Sequence, residues 1–536
     1  MQTLYLTGKD LTPQQLLDAS KGEFFVEIEK SIKEKIHSQR RILEEIVKND
    51  SSRKIYGINV GVGSHKDTFV SVHEAETHQL KYLLSHNCGT GTPIPENASR
   101  AMMIIRLNSF AHAVSGVSLQ LCETLEKCLN LNITPVILEE GSVGASGDLV
   151  PLAMLGCVLA GVEDAHCFYK GEMLPAKKAF EMAGIKPHKF GFKEAMGLTN
   201  GTNFMSGLGT LHLIEAENLL NTASVSAALS LEAIRGEKDA FEEFLINKRP
   251  HPGQLKIAKQ IRSLIAGSRR MSHAAQKVVF KDQQESTATE RIQDRYSFRC
   301  VPPVHGSVSD ALNHFRNTLT LEINSVTDNP LFEERENGDI KSYSGSLFHG
   351  QPLAGIIDYA KIALTTLGLI SDKRSFSILN KTLSFGLPPN LAVNAQAGDS
   401  GLMLAQYAGA ARAADSRVLS TPASIMSLTT SASQEDFVSM GSIGVLHLGK
   451  IIHNLTVILA VELLCGLRAL QMTNNKEGFL TGELAKLGAG TNTVFEYLNT
   501  LFPEPKGDLL VKNDIDKMCE LIKSGEIINQ VKYVFE

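Results

Sequence analysis

The opening residues TLYLTGKDLTPQQLL read as a short strand, a turn at Gly8-Lys9-Asp10 and a helix start. Thr12 can cap that helix, Pro13 suits its first turn, and Gln15 completes a capping box. Over 24–48, the spacing of Val26, Ile28, Ile32, Ile36, Leu43 and Val47 predicts an amphipathic helix. Gly-rich loops follow at 57–64 and 89–95, then a helix from about Glu96 to Leu131. The loop Glu139–Asp148 precedes another helix near 149–162, and a compact strand-and-turn region is expected over 165–190. Beyond it, residues 204–235, 306–327, 350–380, 401–416 and 441–472 keep helical spacing over long runs. Several of these runs are apolar around much of their circumference and so must be buried on several sides, in a central bundle or at an oligomer interface. Segments 236–303 and 381–400 read as long functional loops. The pattern predicts a mainly α protein, with a long central helical bundle over 201–475, a smaller N-terminal α+β region over 1–200 and a C-terminal helical cap over 476–536.

Composition narrows the function. The chain has 536 residues, 43% apolar and 21% charged, with a net charge of −5. That is ordinary globular composition. No Lys/Arg stripe marks a nucleic-acid surface, so no nucleic-acid partner is expected. The eight cysteines form no C-x-x-C pair, which argues against zinc or thioredoxin-like chemistry; no metal is expected. MQTLYLTGKD lacks the features of a signal peptide, and no run of 18 apolar residues suggests a membrane span. A cytoplasmic enzyme with reduced thiols is the resulting expectation.

The most informative stretch is Gly141-Ser-Val-Gly-Ala-Ser-Gly-Asp-Leu-Val-Pro151. Its plain reading is a Gly-rich turn before a helix capped by Ser146 or Asp148. It lacks the spacing of a nucleophile elbow and the lysine of a phosphate loop. Ala145-Ser146-Gly147 can do something else. In a tight turn the Gly147 nitrogen can attack the Ala145 carbonyl carbon; loss of one water closes a five-membered ring. Loss of a second water from Ser146 leaves an exocyclic methylene. Gly permits the close approach, Ser supplies the leaving hydroxyl, and Ala is small enough for the compressed turn. The product, 4-methylideneimidazole-5-one, is an electrophile stronger than any standard side chain, and it needs no external cofactor.

GSVGASGDLVPLA resembles the prosthetic-group motif of the aromatic amino-acid lyase family, the histidine, phenylalanine and tyrosine ammonia-lyases and related aminomutases. Four further segments match in order: Tyr56-Gly-Ile-Asn59 with Gly61 and Gly63; Asn200-Gly-Thr202; Gln293 to Cys300; and Gln434 to Met440. Glu322–Pro330 and Leu387–Leu391 are also similar to family segments. The resemblance spans about residues 3–472. It implies a homotetramer whose active sites draw on several subunits, acting on a small amino-acid substrate.

The resemblance also implies roles. Tyr56 would take the substrate's β-proton, which requires an environment favouring the phenolate, since an unperturbed Tyr titrates near about 10. Arg299 would clamp the substrate carboxylate with its planar fork; three residues after Tyr296, it shares a face with it on a helical turn. Asn200, Gln293 and Tyr296 would donate hydrogen bonds to the prosthetic ring or the carboxylate. Phe348 would pack on the substrate ring. Ser85-His86 aligns with the family's selectivity pair, which is Ser-His in histidine lyases, and His86 could bond an imidazole or a phenol. As a helix-end histidine, it could instead cap a carbonyl. Glu435 matches an acid of histidine lyases, where phenylalanine lyases resemble Gln.

Some positions depart from the family pattern. Leu347 stands where Asn is usual, Phe437 where histidine lyases have His, and Asn87-Cys88 replace a small pair; Ala195 to Thr199 also differ. The expected reaction is elimination of ammonia from an aromatic or heteroaromatic amino acid, with histidine, giving urocanate, favoured over tyrosine. An aminomutase, or an inactive structural homologue that never cyclises, are the alternatives.

Overall fold

In the computed structural model, the described residues are 2–49, 55, 57–58, 60, 75–281, 292–336, 338–394 and 398–536. The N-terminus follows its sequence pattern: strand Gln2–Leu6, then helix Pro13–Ser20. The Gln15 amide donates to Thr12 Oγ1 at 3.2 Å, and the Thr12 amide donates to Gln15 Oε1 at 3.0 Å, a complete capping box.

The helix expected over 24–48 begins later. Phe24–Ile28 is a strand, paired in parallel with Gln2–Leu6, and the helix is Lys30–Asn49. Val26 and Ile28 are two residues apart, the strand period, and point the same way into the core. The helix expected from Glu96 to Leu131 is two, Glu96–Phe110 and Leu119–Asn130. Ala113 and Gly116 take positive φ between them, and the Ser118 hydroxyl accepts from the Leu121 amide to cap the second helix. The strand-and-turn region contains the hairpin His166–Tyr169 and Glu172–Pro175, followed by helix Ala176–Ala183. Segment 236–303 is more than loop, since it holds the helix Pro252–Leu264.

The protein is mainly α. Its longest helices are Asn203–Ile234, Val301–Glu322, Gln351–Leu379 and Gly441–Thr473. The most apolar windows of the last two have mean hydropathies of 1.5 and 1.7 and are 67% and 89% buried, so protein already covers the surface a membrane would need. All eight cysteines are free thiols.

The chain divides into two compact units. The first gathers Met1–Ile214, Phe315–Asp358 and Pro422–Leu446; the second gathers Glu215–His314, Tyr359–Thr421 and His447–Glu536. Inside the second, a charge pair with no solvent exposure joins three helices. Glu462 accepts Arg374 Nε at 2.6 Å and Nη2 at 2.8 Å, together with the Ser230 hydroxyl at 2.7 Å and the Ser371 hydroxyl at 2.5 Å. Removing one partner of such a pair typically costs about 3–5 kcal/mol.

Candidate active site

The Ala-Ser-Gly segment lies in the first unit. Ala145 is buried and Ser146 half-buried. Gly147 has φ +74°, and a Cβ there would overlap the Gly201 carbonyl. The two glycines form a backbone bridge: the Gly201 amide donates to Ser146 O at 3.3 Å and the Asp148 amide to Gly201 O at 2.6 Å. Gly is therefore required at 147 on two counts, a left-handed backbone and a close approach. Gly147→Ala should lower stability by about 1–2 kcal/mol for the backbone and a further ~1–3 kcal/mol for the overlap. A urea midpoint equal to wild type would contradict this.

Asp148 does not cap its own helix. No side-chain cap bond is made there. Its fully buried carboxylate instead accepts the Phe204 and Met205 amides at 2.9 and 3.0 Å, at the start of Asn203–Ile234. Its other oxygen accepts the Ser142 hydroxyl at 3.1 Å and the Ser442 hydroxyl at 2.8 Å. Burial pushes the carboxyl up to about 6, although all four bonds oppose it. Asp148 thus ties the Gly-rich loop to two long helices. Its adjacency to the motif was the only sequence signal for this role.

A second buried network supports Asn200. The Asn200 side-chain amide donates to Asn329 O at 2.9 Å, while the Asn200 backbone carbonyl accepts Arg106 Nη2 at 2.5 Å. Arg106 also reaches Gly197 O at 3.2 Å and the Asn203 side chain. Lys193 pairs with Asp328 at 2.8 Å, both fully buried. Sequence reasoning assigned no role to Arg106, Lys193 or Asp328; single charged residues inside helical or loop patterns look like surface until burial is known.

Glu435 reaches the segment from another loop. The Ser146 hydroxyl donates to Glu435 Oε1 at 3.3 Å, and the Thr430 hydroxyl donates to Oε2 at 3.0 Å. The loop is closed by the Thr430 amide on Glu435 O at 2.8 Å and joined to the Gly-rich loop by the Met440 amide on Val143 O at 3.0 Å. His349 accepts the Gln351 amide at Nδ1 and donates from Nε2 to Phe437 O at 3.2 Å, with the two rings stacked. That contact links the Glu435 loop to half-buried Phe348 next to His349. Phe437 and Leu347, the two departures from the family pattern, are each 56% exposed.

His86 ends the helix Ala75–His86. Its Nδ1 lies 2.8 Å from Tyr82 O, with the two rings stacked at 3.9 Å, so it makes the carbonyl contact expected of a helix-end histidine. Burial is the chief influence on the ring and holds it below the ordinary 6.5, against the Tyr82 carbonyl and the charge of Glu435. A neutral ring donating from Nδ1 presents Nε2 as an acceptor.

Gln293, Tyr296 and Arg299 belong to the second unit. Tyr296–Arg299 is a single helical turn, with the Arg299 guanidinium 4.7 Å from the Tyr296 ring centroid. Among the described residues Arg299 Nε is buried without a hydrogen-bond partner, and Gln293 and Tyr296 are exposed. Tyr56, Asn59, Gly61 and Gly63 lie outside the described residues.

The aromatic amino acid lyase family profile matches residues 11–498. The histidine ammonia-lyase of Natranaerobius thermophilus is 36% identical over 99% of this chain and 98% of its own length. Among solved structures, histidine ammonia-lyase from Trypanosoma cruzi is 30% identical, covers 100% of this chain and 96% of its own, and has a TM-score of 0.87. Tyrosine aminomutase from Streptomyces globisporus is 31% identical, with 99% and 98% coverage and a TM-score of 0.89. The chain therefore belongs to the aromatic amino acid lyase family, whose ordered motifs run through it, and it is a carbon–nitrogen lyase.

Proposed function

We propose that the protein is a histidine ammonia-lyase that forms 4-methylideneimidazole-5-one from Ala145-Ser146-Gly147 and converts histidine to urocanate and ammonium. The observation that carries this reading is the placement of Glu435 against the Ser146 hydroxyl, within electrostatic reach of His86. The Gly147 turn, closed against Gly201 with no room for a Cβ, suits cyclisation of these residues. The prosthetic group supplies the electrophile the reaction needs.

The chain's own residues do the rest. A neutral His86 offers Nε2 to one N–H of the substrate's imidazolium, and Glu435 offers a carboxylate oxygen to the other. Arg299 holds the substrate carboxylate in a charge-assisted fork, with Tyr296, Gln293 and Asn200 as further donors. Phe348 packs on the substrate ring, and Tyr56 takes the β-proton. We further propose a cytoplasmic homotetramer with active sites drawn from several subunits.

A substrate panel tests the choice of amino acid. Histidine should have the highest kcat/KM and phenylalanine the lowest, because polar groups built for an imidazole are left unpaired by a phenyl ring. Glu435→Gln should lower kcat/KM for histidine by roughly ten- to a hundredfold, the value of one hydrogen bond to a charged group. A higher kcat/KM for tyrosine would move the assignment to a tyrosine lyase, whose substrate hydroxyl pairs with His86 alone. The Streptomyces globisporus likeness favours an aminomutase instead, and a β-amino acid among the products would establish that outcome.

A further inference from the structure

We propose that Glu435 also serves maturation: in the uncyclised chain it orients the Ser146 hydroxyl for departure, and this contact withholds Glu435 from substrate until the hydroxyl has left. The inference rests on reading Ala145-Ser146-Gly147 as the prosthetic-group precursor.

A free serine hydroxyl samples three rotamers. Here one is chosen, with Oγ 3.3 Å from Glu435 Oε1. That is longer than a strong O–H···O bond, close enough to select a rotamer and too weak to hold the hydroxyl against leaving. The carboxylate does not depend on Ser146 for its own position. Thr430 fixes Oε2, and the Thr430–Glu435 backbone pair fixes the loop. Ser439 Oγ, donating to Gly144 O at 3.2 Å, and Met440 N, donating to Val143 O, hold that loop on the Gly-rich segment.

The chemistry balances without an added reagent. Ring closure joins Gly147 N to the Ala145 carbonyl carbon, makes a C=N bond to Ser146 N, and expels that oxygen as the first water with the Gly147 and Ser146 amide protons. In the second step the Ser146 Cα–H and Cβ–Oγ bonds break and the Cα=Cβ bond forms. The Cα proton and the departing hydroxide make the second water, and Glu435 Oε1 is the carboxylate oxygen placed to pass that proton to Oγ. Before this step Oε1 is occupied by the hydroxyl and Oε2 by Thr430. Afterwards Oε1 has lost its donor, and an imidazole N–H can take its place. Maturation thereby opens the site it completes.

The test follows intact mass over time in chain made by cell-free synthesis, alongside circular dichroism. Wild type should become lighter by two waters. Glu435→Gln, which keeps an acceptor oxygen for the Ser146 hydroxyl but no carboxylate to take the Cα proton, should lose the first water on the wild-type time scale and the second more slowly. Glu435→Leu should lose the second water more slowly, on the order of 10²-fold. A folded Glu435→Leu or Glu435→Gln chain that matures at the wild-type rate would overturn the inference. Should Glu435→Leu fail to fold, Thr430→Val, which frees the carboxylate to swing, carries the test: slower loss of the second water supports the inference and wild-type timing overturns it. If wild type itself loses no water, the prosthetic-group reading has failed, an outcome distinct from the others.

Discussion

Ser146→Ala should give a folded protein with no measurable turnover. The side chain contributes one loose hydrogen bond to Glu435 and is only half-buried, so stability should change by no more than about 0.5 kcal/mol. On the proposed mechanism, activity depends on the same atom absolutely. Without the hydroxyl there is no second water to lose and no methylene, and no side chain supplies an equivalent electrophile. The expected loss is on the order of 10⁶-fold, comparable with deletion of an enzyme's principal reacting group. Ultraviolet absorbance of the unsaturated acid measures it, with circular dichroism and a urea melt as controls for folding. Substantial turnover by the purified variant would remove the self-made electrophile from the account.

Tyr56→Phe should lower kcat by about 10²–10⁴-fold, the usual worth of a general base. The variant keeps the ring and loses only the ionisable oxygen, so KM should change little. A variant within about threefold of wild-type kcat would show that the β-proton goes elsewhere.

Much of this was legible in the sequence because it rests on local rules. The capping box at Thr12–Gln15 is written in four residues, and the long helices announce themselves by apolar spacing. Local rules also explain the errors. Val26 and Ile28 fit a helical list only when the Gln2–Leu6 partner strand is unknown. The break between Phe110 and Leu119 needs a left-handed backbone at Ala113 as well as at Gly116, and nothing in the sequence announces the alanine. Long-range pairings were least visible. Asp148 binds a helix more than 50 residues away, and the Glu462–Arg374 pair sits inside helices that read as apolar. At the site, the sequence picked out Ser146 and Glu435 separately, 289 positions apart. Their hydrogen bond appears only once the loop from Thr430 to Met440 is folded onto the Gly-rich segment.

The most direct measurement is the mass of the purified wild-type chain and of its peptide containing residues 141–151. The wild-type chain should be lighter than its sequence by two waters, with the whole deficit in that peptide and absent from the same peptide of Ser146→Ala. A wild-type enzyme that releases ammonia from histidine while that peptide keeps its full sequence mass would contradict it.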